Sequence, residues 1–161
     1  DAQGKTAEAL AAYERALALN PEHASAWYNK GVALDAQGQT EEALAAYERA
    51  LALNPEDAGI WNNRGYALLG LKRYDEAVAS IDQALALEPE DSDWWDSRGE
   101  SLLEAGRYQE AIAAYDEALK RSPDLTSSRQ GKARALRVLG RDAEADALER
   151  DGSQGSAPPQ P

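Results

Sequence analysis

The chain has 161 residues, 43% of them apolar and 29% charged, with a net charge of −12 and no cysteine. That length buries one ordinary core, and the composition excludes disulfides, thiolate metal sites and thiol nucleophiles. An acidic surface also offers no field to draw phosphate backbones or anionic lipid, so neither nucleic acid nor a membrane is an expected partner. About a fifth of the residues are alanine, a share that only a mostly helical protein explains comfortably. No apolar run approaches the roughly 20 residues of a membrane span, and no signal-like start is visible, so the expected location is the cytoplasm. The chain begins on Asp1 and not on Met, which reads as a fragment or processed product.

A single step runs through the chain. Pro21, Pro55, Pro89 and Pro123 stand 34 residues apart, as do Trp27, Trp61 and Trp95, and Gly31, Gly65 and Gly99. Alanines keep the step at 9, 43, 77, 111 and 145 and at 16, 50, 84 and 118, and Tyr13, Tyr47, Ile81 and Tyr115 keep it with large side chains. Asp1 to Pro21 differs from Asp35 to Pro55 only at Lys5/Gln39 and Ala7/Glu41, which points to tandem duplication.

The predicted elements follow in chain order. Residues 1–21 form the second helix of a truncated leading repeat, with Leu10, Tyr13 and Leu17 on its apolar stripe. The repeat over 22–55 holds helices from Ala24 to Ala36 and from Thr40 to Leu53, because its apolar residues recur at steps of three and four. Gly38 suits a left-handed helix stop between them. Asn54-Pro55-Glu56-Asp57 reads as a type I turn, with Asp57 placed to cap the next helix. The repeats over 56–89 and 90–123 follow the same plan, with Lys72 a weaker stop and Gly106 a good one. The unit over 124–151 is a degenerate capping repeat in which Arg129 replaces the Trp, Ala133 the Gly and Glu149 the aromatic residue. Its first helix, from Thr126 to Leu139, carries Arg129, Lys132, Arg134 and Arg137. The helix from Ser92 to Ala105 carries Asp93, Asp96, Glu100 and Glu104, and the two charge sets are expected to neutralise one another. Residues 152–161, GSQGSAPPQP, lack an apolar anchor and read as a disordered tail whose APPQP end suits polyproline II.

In this pattern the chain resembles the tetratricopeptide repeat (TPR) family: Trp27, Gly31, Leu34, Ala43, Tyr47, Ala50 and Pro55 match its motif, and the two following repeats match it in phase. The resemblance implies an all-α fold, a right-handed α-solenoid (superhelix) of antiparallel helical hairpins. One departure is systematic, with Lys30, Arg64, Arg98 and Lys132 where the family has Leu. These read as stems laid over apolar surface with the charge in water, the alternative being a phosphate-binding stripe.

The resemblance also implies that the first helices of successive repeats line a concave groove for a partner's peptide or helix. The matching columns hold Tyr28, Asn29 and Val32; then Asn62, Asn63, Tyr66 and Leu69; then Asp93, Asp96, Ser97, Glu100 and Leu103; then Gln130, Arg134 and Arg137. Tyr28 and Tyr66 are either peptide anchors or intramolecular packing between adjacent helices. Chaperone-binding members of the family hold a terminal carboxylate with Lys and Asn, then Asn, then Lys and Arg. The matching columns here hold Tyr28 and Val32, then Asn63, then Asp93 and Ser97, so an acidic C-terminal tail is not the expected partner.

No catalytic, cofactor-binding or metal-binding residue is expected. His23 is the one histidine and stands in a turn, and no phosphate-binding glycine motif is present. The expected function is therefore a protein–protein interaction scaffold and not an enzyme. The alternatives are a self-associating repeat fragment, or a regulatory or targeting segment of a larger multidomain enzyme. Self-association is expected as a homodimer through Leu10, Tyr13 and Leu17, against a frayed first helix as the competing outcome.

Overall fold

The computed structural model describes the backbone of residues 2–154 and the side chains of residues 6–150. Among the described residues there are nine helices and no strand: α1 (Ala2–Leu19), α2 (Ala24–Asp35), α3 (Thr40–Leu53), α4 (Ala58–Gly70), α5 (Tyr74–Leu87), α6 (Ser92–Glu104), α7 (Tyr108–Arg121), α8 (Thr126–Val138) and α9 (Asp142–Gln154). No described helix is long and apolar enough to cross a membrane. The chain divides into two compact units, Asp1–Glu88 with α1 to α5 and Pro89–Pro161 with α6 to α9.

The helix boundaries follow local chemistry. Asp57 caps α4 by accepting from the Ile60 N–H at 3.2 Å, and Asp91 caps α6 by accepting from the Asp93 N–H at 2.8 Å. His23 precedes α2 without any side-chain cap and is exposed. Each hairpin turn is a Schellman stop. In the first, the Gly38 N–H donates to Asp35 O at 2.8 Å and the Gln39 N–H to Leu34 O at 3.0 Å, and the same pair of bonds recurs at 72/73, 106/107 and 140/141. Gly38, Gly106 and Gly140 take the left-handed conformation these turns require, and Lys72 takes it without being glycine, at φ 60°.

In the first unit, α2 with α3 and α4 with α5 form antiparallel hairpins, and α1 lies against α2. Their cores are held close by missing side chains. A Cβ on Gly31 would lie 2.6 Å from the Tyr47 ring, and one on Gly65 would lie 2.7 Å from Ile81. Ala43, Ala50, Ala77 and Ala84 are fully buried alongside. In the second unit, α6 with α7 and α8 with α9 form the hairpins. A Cβ on Gly99 would lie 2.5 Å from the Tyr115 ring, and Leu102, Ala111, Ala118, Ala133 and Leu136 complete the core.

Two expectations at the ends are corrected. Leu17 is not left for a partner: it is 7% exposed, whereas Leu10 and Tyr13 are half-buried and Leu10 packs on the α2–α3 core. Among its described residues, the large apolar side chain that α1 does expose is Leu19, at 90%. At the other end α9 runs to Gln154, three residues into the segment whose composition reads as disordered; residues 155–161 lie outside the described residues.

The turns generate a prediction. Lys72 bears a Cβ in a conformation that costs an L-residue about 1–2 kcal/mol, part of which a glycine returns to the unfolded chain as entropy. Lys72→Gly should therefore raise the denaturant midpoint, by about 0.5–1 kcal/mol in stability. Gly106→Lys should lower it by about 1–2 kcal/mol.

Candidate interaction surface

The side chains singled out on the first helices of the repeats separate into three groups. Some belong to the core. Asn62 is 6% exposed with its Oδ1 unpartnered among the described residues, Ser97 is buried with its hydroxyl donating to Asp93 O at 2.8 Å, and Leu103 is buried. These three do not line a surface: α4 and α6 turn those positions toward their neighbours. Others are held in internal pairs. Tyr28 lies 6.1 Å from the Tyr47 ring, centre to centre, and its hydroxyl accepts from Asn63 Nδ2 at 2.8 Å. Tyr28 is therefore packed between adjacent helices, and Asn63 is committed to it. The rest reach solvent. Val32 on α2 and Tyr66 on α4 are exposed, with Asn29 and Leu69 half-buried beside them.

In the second unit Asp93 is exposed, while Asp96 and Glu100 are half-buried. The Ser128 hydroxyl, wholly buried on α8, donates to Asp96. Arg134 pairs with Glu104 at 3.0 Å across the α6–α8 face. Asp96, Glu100, Tyr115, Ser127, Gln130, Gly131 and Arg134 line an open pocket of about 180 Å³. Burial, with Asp96 and Glu104 nearby, raises the Glu100 carboxyl above its ordinary value, and Arg134 only partly offsets this. Burial first, then the Asp96 and Glu100 charges, push the Tyr115 phenol well above its ordinary value, so it remains protonated.

The basic helix α8 is neutralised, but mostly not by α6. Lys132 pairs with Asp116 on α7, and Arg137 turns to α9, where it binds Glu149 through both guanidinium ends at 2.8 Å and Asp146 at 3.2 Å. Arg137 thus leaves the surface that Arg134 shares with α6. Arg129 donates to Pro123 O at 2.7 Å. That bond repeats one made by Trp27 to Pro21 O at 2.8 Å, Trp61 to Pro55 O at 2.8 Å and Trp95 to Pro89 O at 2.9 Å. The cations in the family's Leu column have the same kind of regularity. Lys30 meets Glu14 at 3.3 Å and Arg64 meets Glu48 at 3.2 Å, each lying near its own repeat's Trp ring. Lys30 and Arg64 thus each have a carboxylate partner on the preceding helix.

Sequence reasoning missed the floor and back wall of the pocket. Tyr115 was placed in the core column alone, and Gly131 stands two residues before the column that carries the repeat glycines. A signal was present: Gly131 falls in phase with Asn29, Asn63 and Ser97, and Asp96 in phase with Tyr28, so the fourth and third repeats carry smaller residues where the second and first carry Asn and Tyr.

Similar proteins agree with this architecture. The chain is similar in structure to MamA, with a TM-score of 0.89 at 20% identity over 95% of this chain and 90% of that one. MamA from Desulfovibrio magneticus RS-1, from its residue 41 to its end, aligns with a TM-score of 0.89 at 18% identity over 96% and 89%. YrrB, described as a TPR protein with an unusual peptide-binding site, aligns with a TM-score of 0.80 at 21% identity over 92% and 77%. No curated protein sequence matches the chain. The tetratricopeptide repeat model matches it at residues 1–58, 33–92, 63–126 and 98–157, and with its paired helices and the glycine, alanine, tryptophan and proline columns in place the chain belongs to the tetratricopeptide repeat family, an all-α fold of helical hairpins.

Proposed function

We propose that the chain is a protein-interaction scaffold that holds a segment of a partner protein against the first helices of its repeats. The observation that carries this reading is the contrast between one outward column and the core columns. Val32 and Tyr66, one repeat apart, keep 41% and 37% of their surface exposed, while the large side chains facing the hairpin cores are almost wholly buried. An exposed apolar residue and an exposed aromatic ring at matching places, bordered by Asn29 and the Tyr28–Asn63 pair, are suited to anchoring an extended or helical peptide. Membership of the repeat family and the peptide-binding site named for YrrB support the same reading.

The partner's terminal carboxylate is not the expected ligand. Of the columns that hold such a group in chaperone-binding relatives, only Asn63 has a fitting side chain, and its amide already donates to Tyr28. Asp93 stands exposed where a cation is needed, and like charges lower affinity. Calorimetry with an acidic chaperone-tail peptide should show no binding, and a micromolar constant would overturn this part of the reading.

Peptides selected by display on the intact chain provide the positive test. Val32 and Tyr66 keep part of their surface exposed, so Val32→Asp and Tyr66→Ala should lower the denaturation midpoint by less than truncation of a core residue such as Leu68. Each should weaken a selected peptide by about tenfold or more in calorimetry. Peptides that bind both variants as they bind the parent chain would show that these first helices are not the binding surface.

A further inference from the structure

We propose that Asp35 completes the exposed pair Val32 and Tyr66 in the first unit, so that the partner segment held there carries an arginine or lysine beside its apolar anchor. The inference rests on the scaffold reading above and names the chemistry of the segment.

Asp35 shares the face of that pair. It stands three residues after Val32 on α2, as Leu69 stands three after Tyr66 on α4, and residues at that spacing are neighbours on one side of a helix. Within the unit α2 and α4 touch. Their ends meet at Thr40, whose hydroxyl donates to Asp35 Oδ1 at 3.1 Å and whose methyl group would lie 3.9 Å from a Cβ on Gly70. Val32, Tyr66 and the half-buried Leu69 thus form an apolar patch with one carboxylate at its border.

That carboxylate is oriented but not compensated. Asp35 is exposed, and no described cation pairs with it. The cations of the two helices are committed elsewhere, Lys30 to Glu14 at 3.3 Å and Arg64 to Glu48 at 3.2 Å. Arg73, in the turn after α4, binds Glu76 through both guanidinium ends. The charge is felt beneath the patch: burial first, then Asp35, push the Tyr47 phenol well above its ordinary value. At Tyr115, by contrast, Arg134 offsets part of the effect of the acids.

Local folding does not ask for an acid here. Asp35 is the last residue of α2, where the unpaired carbonyls of a helix gather negative charge and favour a cation. The same column holds Leu69, Leu103 and then Arg137, the sign that the helix end prefers. An uncharged amide oxygen would satisfy Thr40 equally well. Asp35 and the α2 terminus therefore act together on a positive group arriving from outside, and the net charge of −12 draws a basic segment in and repels an acidic one.

The test uses the intact chain, a random dodecapeptide library displayed on phage, and the strongest binder as a synthetic peptide. The selected peptides should be enriched in arginine or lysine over aspartate and glutamate, beside an apolar residue. Asp35→Asn keeps the acceptor for Thr40 and removes the charge, so the denaturation midpoint should hold or rise. The same variant should weaken the peptide by about twofold to fivefold, as loss of one exposed ion pair requires. It should also flatten the fall in affinity between about 50 and 300 mM salt. Replacing the basic residue of the peptide by an uncharged analogue (citrulline for arginine, norleucine for lysine) should cost that factor with the parent chain and nothing with Asp35→Asn. Selected peptides without basic residues, or an affinity and salt dependence unchanged in Asp35→Asn, would overturn the assignment. If those peptides still depend on Val32 and Tyr66, the failure falls on Asp35 alone and the scaffold reading stands. Binding that also survives Val32→Asp and Tyr66→Ala would take the scaffold reading with it.

Discussion

The close approach of a large side chain to a glycine, repeated in each of the first three hairpins, is the contact on which the rest depends. Gly31 receives Tyr47, Gly65 receives Ile81 and Gly99 receives Tyr115, each at a distance that leaves no room for a Cβ. The glycine fixes the register of the pair, because a shift of one residue sets the ring against a side chain. Alanines at zero exposure on the second helix of each pair maintain the same short spacing above and below. The fourth hairpin abandons the device. Ala133 stands in the glycine column, Glu149 in the aromatic one, and the helices are tied instead by Arg137 to Glu149 and Asp146 at the surface. An exposed ion pair contributes little to stability, but it suits a hairpin whose outer side meets water.

Other contacts persist while the residue that makes them changes, which shows that the contact is what the fold uses. Three tryptophans and then Arg129 all donate to the carbonyl of the turn proline six residues earlier. The guanidinium keeps the donor and gives up the apolar ring. Arg121 is a second case. It occupies the column of the exposed Leu53 and Leu87, yet its guanidinium lies 5.1 Å from the Trp95 ring centre and is bound by Glu117, with Glu90 at 3.4 Å. In the first unit the equivalent space beside Trp27 is an open pocket bordered by Pro21, Ala52 and Leu53.

The fold was legible because its determinants are local and periodic. Glycine, alanine, tryptophan and proline recur every 34 residues, and each reports a contact within its own hairpin or turn, so the helices, the stops at Gly38, Gly106 and Gly140 and the strained stop at Lys72 could all be read from spacing. The surface was legible only in part. A column assigns a residue to a helix face but not to a depth, and Asn62, Ser97 and Leu103 sit on the boundary where a small rotation of the helix decides between core and solvent. Charge pairing was legible in sign but not in partner. Lys132 and Arg137 reach acids on α7 and α9, since long side chains take the nearest carboxylate and not the helix with the matching total. The pocket bordered by Asp96, Glu100 and Arg134 escaped because a motif places residues on helix faces and does not give the depth of the space between them.

Columns that build the hairpin and columns that face outward are thus physically separable. Tyr47 and Tyr115 are equivalent in the core, 2% exposed each, and the glycines beneath them are equally tight. Around that constant floor, the first unit spends its polar atoms internally, with the Asn63 amide on the Tyr28 hydroxyl, and what it leaves exposed at the next position is apolar, Val32 and Tyr66. The second unit does the reverse. It exchanges the Tyr–Asn pair for Asp and Gly, brings the Gly131 backbone against the Tyr115 ring, and places Glu100 and Arg134 in the column of Val32 and Tyr66. Burying a carboxylate pair without compensation is costly, and Ser128 and Arg134 offset only part of that cost, since the Glu100 carboxyl stays raised. A core built from one repeated contact tolerates this because the glycine–tyrosine packing beneath does not depend on what lies above it. The outward columns can therefore change from one unit to the other on an unchanged hairpin.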